Sequence, residues 1–321
     1  MKTTYLLLCL LGIGSVSGAG QTKQSQKIGD FIESTSYNEH RRNATRSLQY
    51  TPDGDDFVCI NGKNRFTRAL YGSHTAFRLE TSDRPVFAAY TKENPKHICF
   101  KMQTSGGTVA LDSTEHCESR YTAGRRSYSL SDPAFGGGSL SITTWALPDK
   151  EGAIWQFNTL NFKEFHPVLL ASISEIRNSK LNRNGDMGAD PADSFEAPLQ
   201  PQQLQSFPVQ IDGTLYILLE NQELRTLTTA EGENLFKKAE AARSETASRI
   251  RIETPDPYFN TLGGTLAMAA DGIWDGEVWL HGAIGWRMPL SGWRAAYTGD
   301  VLGWHDRART HFNAYAASQV T

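Results

Sequence analysis

Cysteine is scarce in this chain, long apolar runs are absent, and neither charge sign dominates. Of 321 residues only four are cysteine, none in a C-x-x-C pair, and Cys9 falls inside an N-terminal apolar run. That leaves Cys59, Cys99 and Cys117, an odd set that permits at most one internal disulfide. A zinc site built from His97, Cys99, His116 and Cys117 lacks the paired spacing of structural zinc sites. Three buried, small, apolar side chains are the expectation instead. The apolar run Leu6–Val16 has 11 residues, too short for the ~20 needed to span a bilayer. Lysine and arginine total 32 against 35 aspartate and glutamate. Loss of Lys2 with a leader leaves 31 against 35, no electrostatic footprint for nucleic acid or an anionic membrane. No Ser-His-Asp elbow, phosphate-binding glycine loop or Rossmann fingerprint is present, and no cofactor is expected.

What is there begins with a leader. Lys2, the apolar run and Ser17-Gly18-Ala19 read as a cleavable signal peptide over 1–19, so a secreted or periplasmic protein is expected. A polar arm follows over 20–45, with the glycosylation triplet Asn43-Ala44-Thr45. From 46 to 230 short apolar segments alternate with turn residues. Asp56–Ile60, Val86–Tyr90, Ile98–Met102, Thr108–Asp112, Ser127–Leu130, Leu140–Ala146, Ala153–Thr159, Val168–Ile173 and Thr214–Glu220 read as strands. Ten or so strands without intervening helices predict an antiparallel sandwich, with a barrel as the alternative. Two stretches read as loops, Arg65–Gly72 and the Gly-, Pro- and Asp-rich Leu181–Phe207. In the second, Asn184, Asp186 and Asp190 are weak calcium candidates. Met187 stands where an EF-hand needs glycine, and a hydrogen-bonded surface loop is the default.

The period then changes. Leu235, Ala239, Ala242, Thr246 and Ile250 recur at helical spacing, predicting a linker helix over 231–250. Asp256-Pro257 is a start signal for the next helix, in which Gly263-Gly264 costs roughly 1 kcal/mol per residue, so tertiary packing must compensate. A last helix is predicted from Trp304 to about Gln319. Between them, Asp271–Asp306 carries five of the chain's seven tryptophans. The couples Trp286-Arg287 and Trp293-Arg294 put flat apolar faces beside forked donors, surfaces that suit a sugar ring. His281, Trp286, Arg287, Trp293 and Arg294 are therefore the candidate substrate-binding residues. The alternative is an aromatic packing knot with salt-bridged arginines. Glycosidic cleavage needs two carboxyls across the bond. Asp271, Asp275 and Glu277 are the local candidates, with helix capping as the plainer role for the two aspartates.

Several motifs carry a family resemblance. Thr254-Pro255-Asp256-Pro257-Tyr258, Ala270-Asp271-Gly272-Ile273-Trp274, His281-Gly282-Ala283, Trp286-Arg287 and Gly292-Trp293-Arg294 resemble the opening helices of a six-hairpin (α/α toroid) glycoside hydrolase. Asn61-Gly62, the run from Arg65 to Gly72 and the run from Asn184 to Pro191 resemble exported bacterial proteins grouped as domain of unknown function 4450. The resemblance implies a β-supersandwich, a linker helix and the first helices of an (α/α)6 toroid, and an activity on polysaccharide or oligosaccharide. A closed toroid uses twelve helices, whereas 251–321 has room for two or three. The expectation is thus the front part of a glycosidase, with most catalytic machinery elsewhere and self-association through an incomplete ring. The alternative is a non-catalytic carbohydrate-binding or structural sandwich module.

Overall fold

The computed structural model describes residues 50–63, 68–72, 77–90, 96–162, 166–175, 203–210, 212–282, 289 and 292–319. The loop expected over Leu181–Phe207, with Asn184, Asp186 and Asp190, falls outside them as far as residue 202. Two antiparallel sheets account for every strand described. One is eight-stranded, in the spatial order β1 (Thr51–Asp53), β2 (Asp56–Ile60), β8 (His116–Thr122), β9 (Arg125–Ser131), β10 (Ser139–Ala146), β11 (Gly152–Leu160), β14 (Thr214–Glu220) and β15 (Glu223–Leu227). The other runs β13 (Gln203–Pro208), β12 (Val168–Glu175), β6 (Lys96–Thr104), β5 (Val86–Tyr90), β4 (Arg78–Thr81) and β3 (Arg68–Tyr71), with β7 (Gly107–Ala110) also paired to β6.

Alternation along the strands explains why the sheets face each other. In β8 and β9 every second side chain is buried, the period that places one face on a core. The inner faces meet through aromatic pairs. Phe87 of β5 lies 5.4 Å edge-on to Trp155 of β11, and Phe100 of β6 lies 5.0 Å from Phe157. Such pairs contribute about 0.5–1.5 kcal/mol each beyond their buried area. A charge is held in this layer: the guanidinium of Arg126 is fully buried and donates from Nε to the Ser82 carbonyl and from Nη2 to the Tyr50 hydroxyl.

Two segments expected as loops supply strands. Arg68–Tyr71 pairs with β4, Leu70 opposite Leu79, and both leucines are fully buried. Gln203–Phe207 pairs with β12, Phe207 opposite Leu169. Burial between the sheets outweighs the weak local pattern in each. The hairpin β14–β15 turns on Asn221-Gln222, both with positive φ. That is the primed turn that matches strand twist, usually signalled by Asn-Gly.

Alternation fails where β10 ends and β11 begins, and there both faces are buried. The cover is α1 (Thr229–Ala247), started by a capping box between Thr228 and Glu231. Its Leu235, Phe236 and Ala239 pack on Trp145, Ile154, Tyr216 and Leu218. A polar clamp locks the contact. The Glu240 carboxylate accepts from Trp145 Nε1 at 2.7 Å and from Arg243 Nε and Nη2 at 2.9 and 2.6 Å, and Arg125 Nη1 lies 3.3 Å away. Burial pushes the carboxyl pKa up, but the Arg243 and Trp145 hydrogen bonds outweigh it, and the net shift is downward.

Helix α2 (Pro257–Gly272) is capped by Asp256, whose side chain accepts from the Tyr258 amide at 2.9 Å, with Pro257 as the first helical residue. The glycine pair that weakens this helix is where it comes closest to its neighbours. A side chain on Gly263 would meet the Ile250 carbonyl, and one on Gly264 would meet Ala123 and Ala247. Two more helices follow, α3 (Gly292–Val301) and α4 (His305–Ala317). Among the described residues no helix is long and apolar enough to cross a membrane.

Two measurements test this frame. Trp145→Phe removes the indole donor and is expected to cost about 1–3 kcal/mol in urea denaturation, as is Glu240→Gln. The double variant should cost less than the two combined, because they share one interaction. Separately, His97 of β6 is buried, neither ring nitrogen has a hydrogen-bond partner among the described residues, and burial pushes its pKa from 6.5 down to about 4. A depressed histidine stabilises the fold above its unfolded pKa and loses that contribution as pH falls toward the folded one. Stability should drop by roughly 3 kcal/mol between pH 6.5 and 4, and His97→Leu should flatten that slope. An unchanged acid slope in the variant would refute the assignment.

Candidate functional site

Three tryptophans of the Trp-rich segment build a packing knot. Trp274 and Trp279 lie 4.6 Å apart between ring centres and, with Trp304, Leu302, Ala296 and Ala308, form a separate small core. Trp279 is pinned at both ends: its indole donates to the Ala270 carbonyl, and its amide donates to Nδ1 of the buried His311, each at 3.1 Å. Gly303 has φ +78 and ends α3 with its amide on the Asp300 carbonyl, a left-handed stop that glycine adopts freely. The next residue is Trp304, and the turn sets it against α1.

At that edge the helices and the sandwich enclose a groove of about 220 Å³. Tyr71 at the end of β3 and Trp145 of β10 contribute from the sandwich. Arg243, Glu245 and Arg249 come from α1 and its exit, and Asp271, Trp304 and Arg307 from the C-terminal helices. The Arg307 guanidinium stacks 4.5 Å from the Trp304 ring centre and 5.6 Å from Trp274, while its Nη1 donates to Asp271 at 2.7 Å. Arg249 lies 5.1 Å from the Trp304 ring and donates to the Leu302 carbonyl at 2.9 Å. A buried indole flanked by two partly exposed guanidinia is a cation–π stack. The groove thus gathers forked donors, carboxylate acceptors and aromatic edges, a set able to hold hydroxyl groups.

The expected site residues are distributed as follows. Asp271 ends α2, is half-buried and lies in the groove. Asp275 sits in the turn beyond, its Oδ1 accepting from the amides of Glu277 and Val278 at 3.0 and 2.8 Å. The two carboxylates therefore serve separate partners. Glu277 and His281 are exposed. Trp286 and Arg287 lie outside the described residues. Trp293 and Arg294 belong to α3 by their backbone, and their side chains lie outside the description.

Arg243, Glu245 and Arg249 fall within the helix expected over 231–250 but are not on its apolar stripe. The signal for them is their spacing, which places them on the turns of α1 that face Trp304. Cys59, Cys99 and Cys117 are all free thiols. Burial pushes Cys59 up to about 11 and Cys117 to about 12. Cys117 faces the core between the sheets, whereas Ile98 and Phe100 take the inward positions of β6. Alternation therefore puts His97 and Cys99 on the outer face of the other sheet, and these groups do not converge. Among the described residues no three His, Cys, Asp or Glu side chains gather to hold a metal.

The fold and groove define a two-sheet antiparallel sandwich with a helical C-terminal end and a polar cleft at the junction. Residues 95–250, just under half of the chain, match the family model described as Domain of unknown function (DUF4450). The match supports the likeness to that family. It begins at β6 and ends just past α1, so the family unit takes in the helix clamped by Glu240. No curated protein matches the chain.

The Asp271–Arg307 pair is partly buried, at 16% and 23% side-chain exposure. Asp271→Ala leaves the guanidinium against two indoles without its carboxylate and should cost about 1–3 kcal/mol by urea denaturation. Adding Arg307→Met should recover part of that loss, and a fully additive double variant would show the pair to be uncoupled.

Proposed function

We propose that this is an exported carbohydrate-active protein of glycoside-hydrolase type, with its saccharide held in the groove between the sandwich and the C-terminal helices. The observation that carries the reading is the convergence of Arg249, Arg307, Asp271 and Glu245 around Trp304 in one cleft. Arginine forks hold two oxygens at once, and carboxylates accept from sugar hydroxyls. Neither acidic nor basic groups dominate there, as suits a neutral polyol. In this reading α2, α3 and α4 are the opening of an α/α toroid, and the leader over 1–19 directs export. Hydrolysis requires two carboxyls across the scissile bond. Asp271, Asp275 and Glu277 are the candidates on this segment, joined by further groups if the ring is completed.

A second reading has its own support. The family match ends at Ile250, so the shared unit is the sandwich with α1, as a non-catalytic binding module would be built. The two differ in what they require of the C-terminal helices. Calorimetric titration with β-1,4-glucan, β-1,4-xylan, β-1,4-mannan and α-1,4-galacturonan oligomers should reveal binding. Arg249→Ala and Arg307→Ala should each weaken it at least tenfold, in line with the loss of an arginine anchor. Binding indifferent to both substitutions favours the sandwich module. Absence of binding to all four series removes the carbohydrate reading.

A further inference from the structure

We propose that a second, larger cleft beside the groove is a further saccharide subsite, so that the ligand is an oligomer and not a single ring. This inference rests on the saccharide reading above. The cleft has a volume of about 800 Å³ and lies between the last turns of α1, the α1–α2 connection and the tips of the hairpins β1–β2 and β8–β9. It shares one wall with the groove, Arg243. That side chain is held in place from both sides, by Glu240 and by the Ala123 carbonyl, to which its Nη1 donates at 2.9 Å. Close packing of Gly264 on Ala123 and Ala247 joins α2 to the same hairpin tip and to α1.

The lining combines both properties a sugar needs. Asp55 and Glu253 offer exposed carboxylates to hydroxyl donors, and exposed Arg251 offers a donor fork. Ile250 and Ile252 supply hydrocarbon for the C–H face of a ring. The charge of Arg243 is already matched by Glu240, so the remaining carboxylates outnumber the remaining guanidinium. That balance disfavours phosphate or uronate and suits a neutral, hydroxylated ligand. The volume lies within the roughly 300–1,000 Å³ of small-molecule sites, and the groove alone is smaller than that range. Two adjacent clefts on one wall thus fit linked rings. Once one ring is held, the contact in the second cleft is intramolecular, and the two together bind more tightly than either alone.

The experiment is a chain-length series on the full chain. Calorimetry would compare one to six rings of the β-1,4-glucan, β-1,4-xylan, β-1,4-mannan and α-1,4-galacturonan series. Affinity is expected to rise at least tenfold between two and five rings of a neutral series. Arg251→Ala and Glu253→Gln, both at exposed positions, should abolish the rise and leave disaccharide affinity unchanged. Affinity that is flat with length, a rise that survives both variants, or binding confined to galacturonan overturns the subsite and leaves the groove reading standing. Absence of binding to every oligomer overturns both.

Discussion

A half-buried carboxylate clamped between a helix and a sheet holds this molecule's two parts together. Glu240 projects from α1 onto the outer face of the eight-stranded sheet, where an indole N–H and an arginine fork converge on it. Alone, that charge would be costly to bury. With donors on both oxygens it becomes a directional lock, because only one placement of α1 satisfies all of them. Around it Trp145, Phe236 and Tyr216 supply the apolar area, with Trp145 and Phe236 at 4.1 Å between ring centres. Hydrophobic burial is non-directional, so the area holds α1 down while the carboxylate fixes where it lies.

The position of α1 sets the remainder. Its last turns receive α2 through Gly264, and its exit carries Arg249 to Trp304. Both clefts open along this helix, and Arg243, which grips Glu240, is a wall of each. A side chain that helps secure the helix to the sandwich is thus also the one the two clefts share. The family match crosses the same junction, from β6 to the end of α1, as expected if sandwich and helix are one structural unit.

Much of this architecture was legible in the residues. The strands β9, β10, β11, β12 and β14, the start of α2 at Asp256-Pro257 and the helical stripe of α1 each follow from local periodicity or capping chemistry. What escaped is equally specific. β15 follows a turn made by Asn221-Gln222, which lacks the glycine that advertises such turns. β3 and β13 lie in segments whose local composition favours loops, and pairing with β4 and β12 overrides it. Arg126 would be assigned to the surface by its charge, yet it is fully buried because two hydroxyls and the Ser82 carbonyl lie within its reach. No spacing along the chain encodes that encounter.

The candidate site divides along the same line. Sequence alone determined that this is an antiparallel β body followed by helices, and that tryptophan, arginine and carboxylate concentrate toward the C-terminal end. It also marked the glycine pair in α2 as a place where packing must compensate. Only the tertiary structure decided which arginine meets which indole. Trp274, Trp279 and Trp304 close a small core, and the open edge of that core pairs Arg307 with Asp271 and Arg249 with Trp304, partners 36 and 55 residues apart in the chain. Period and capping act over a few residues and can be read locally. A cleft depends on how finished elements dock, and that is set by burial and polar satisfaction across the whole fold.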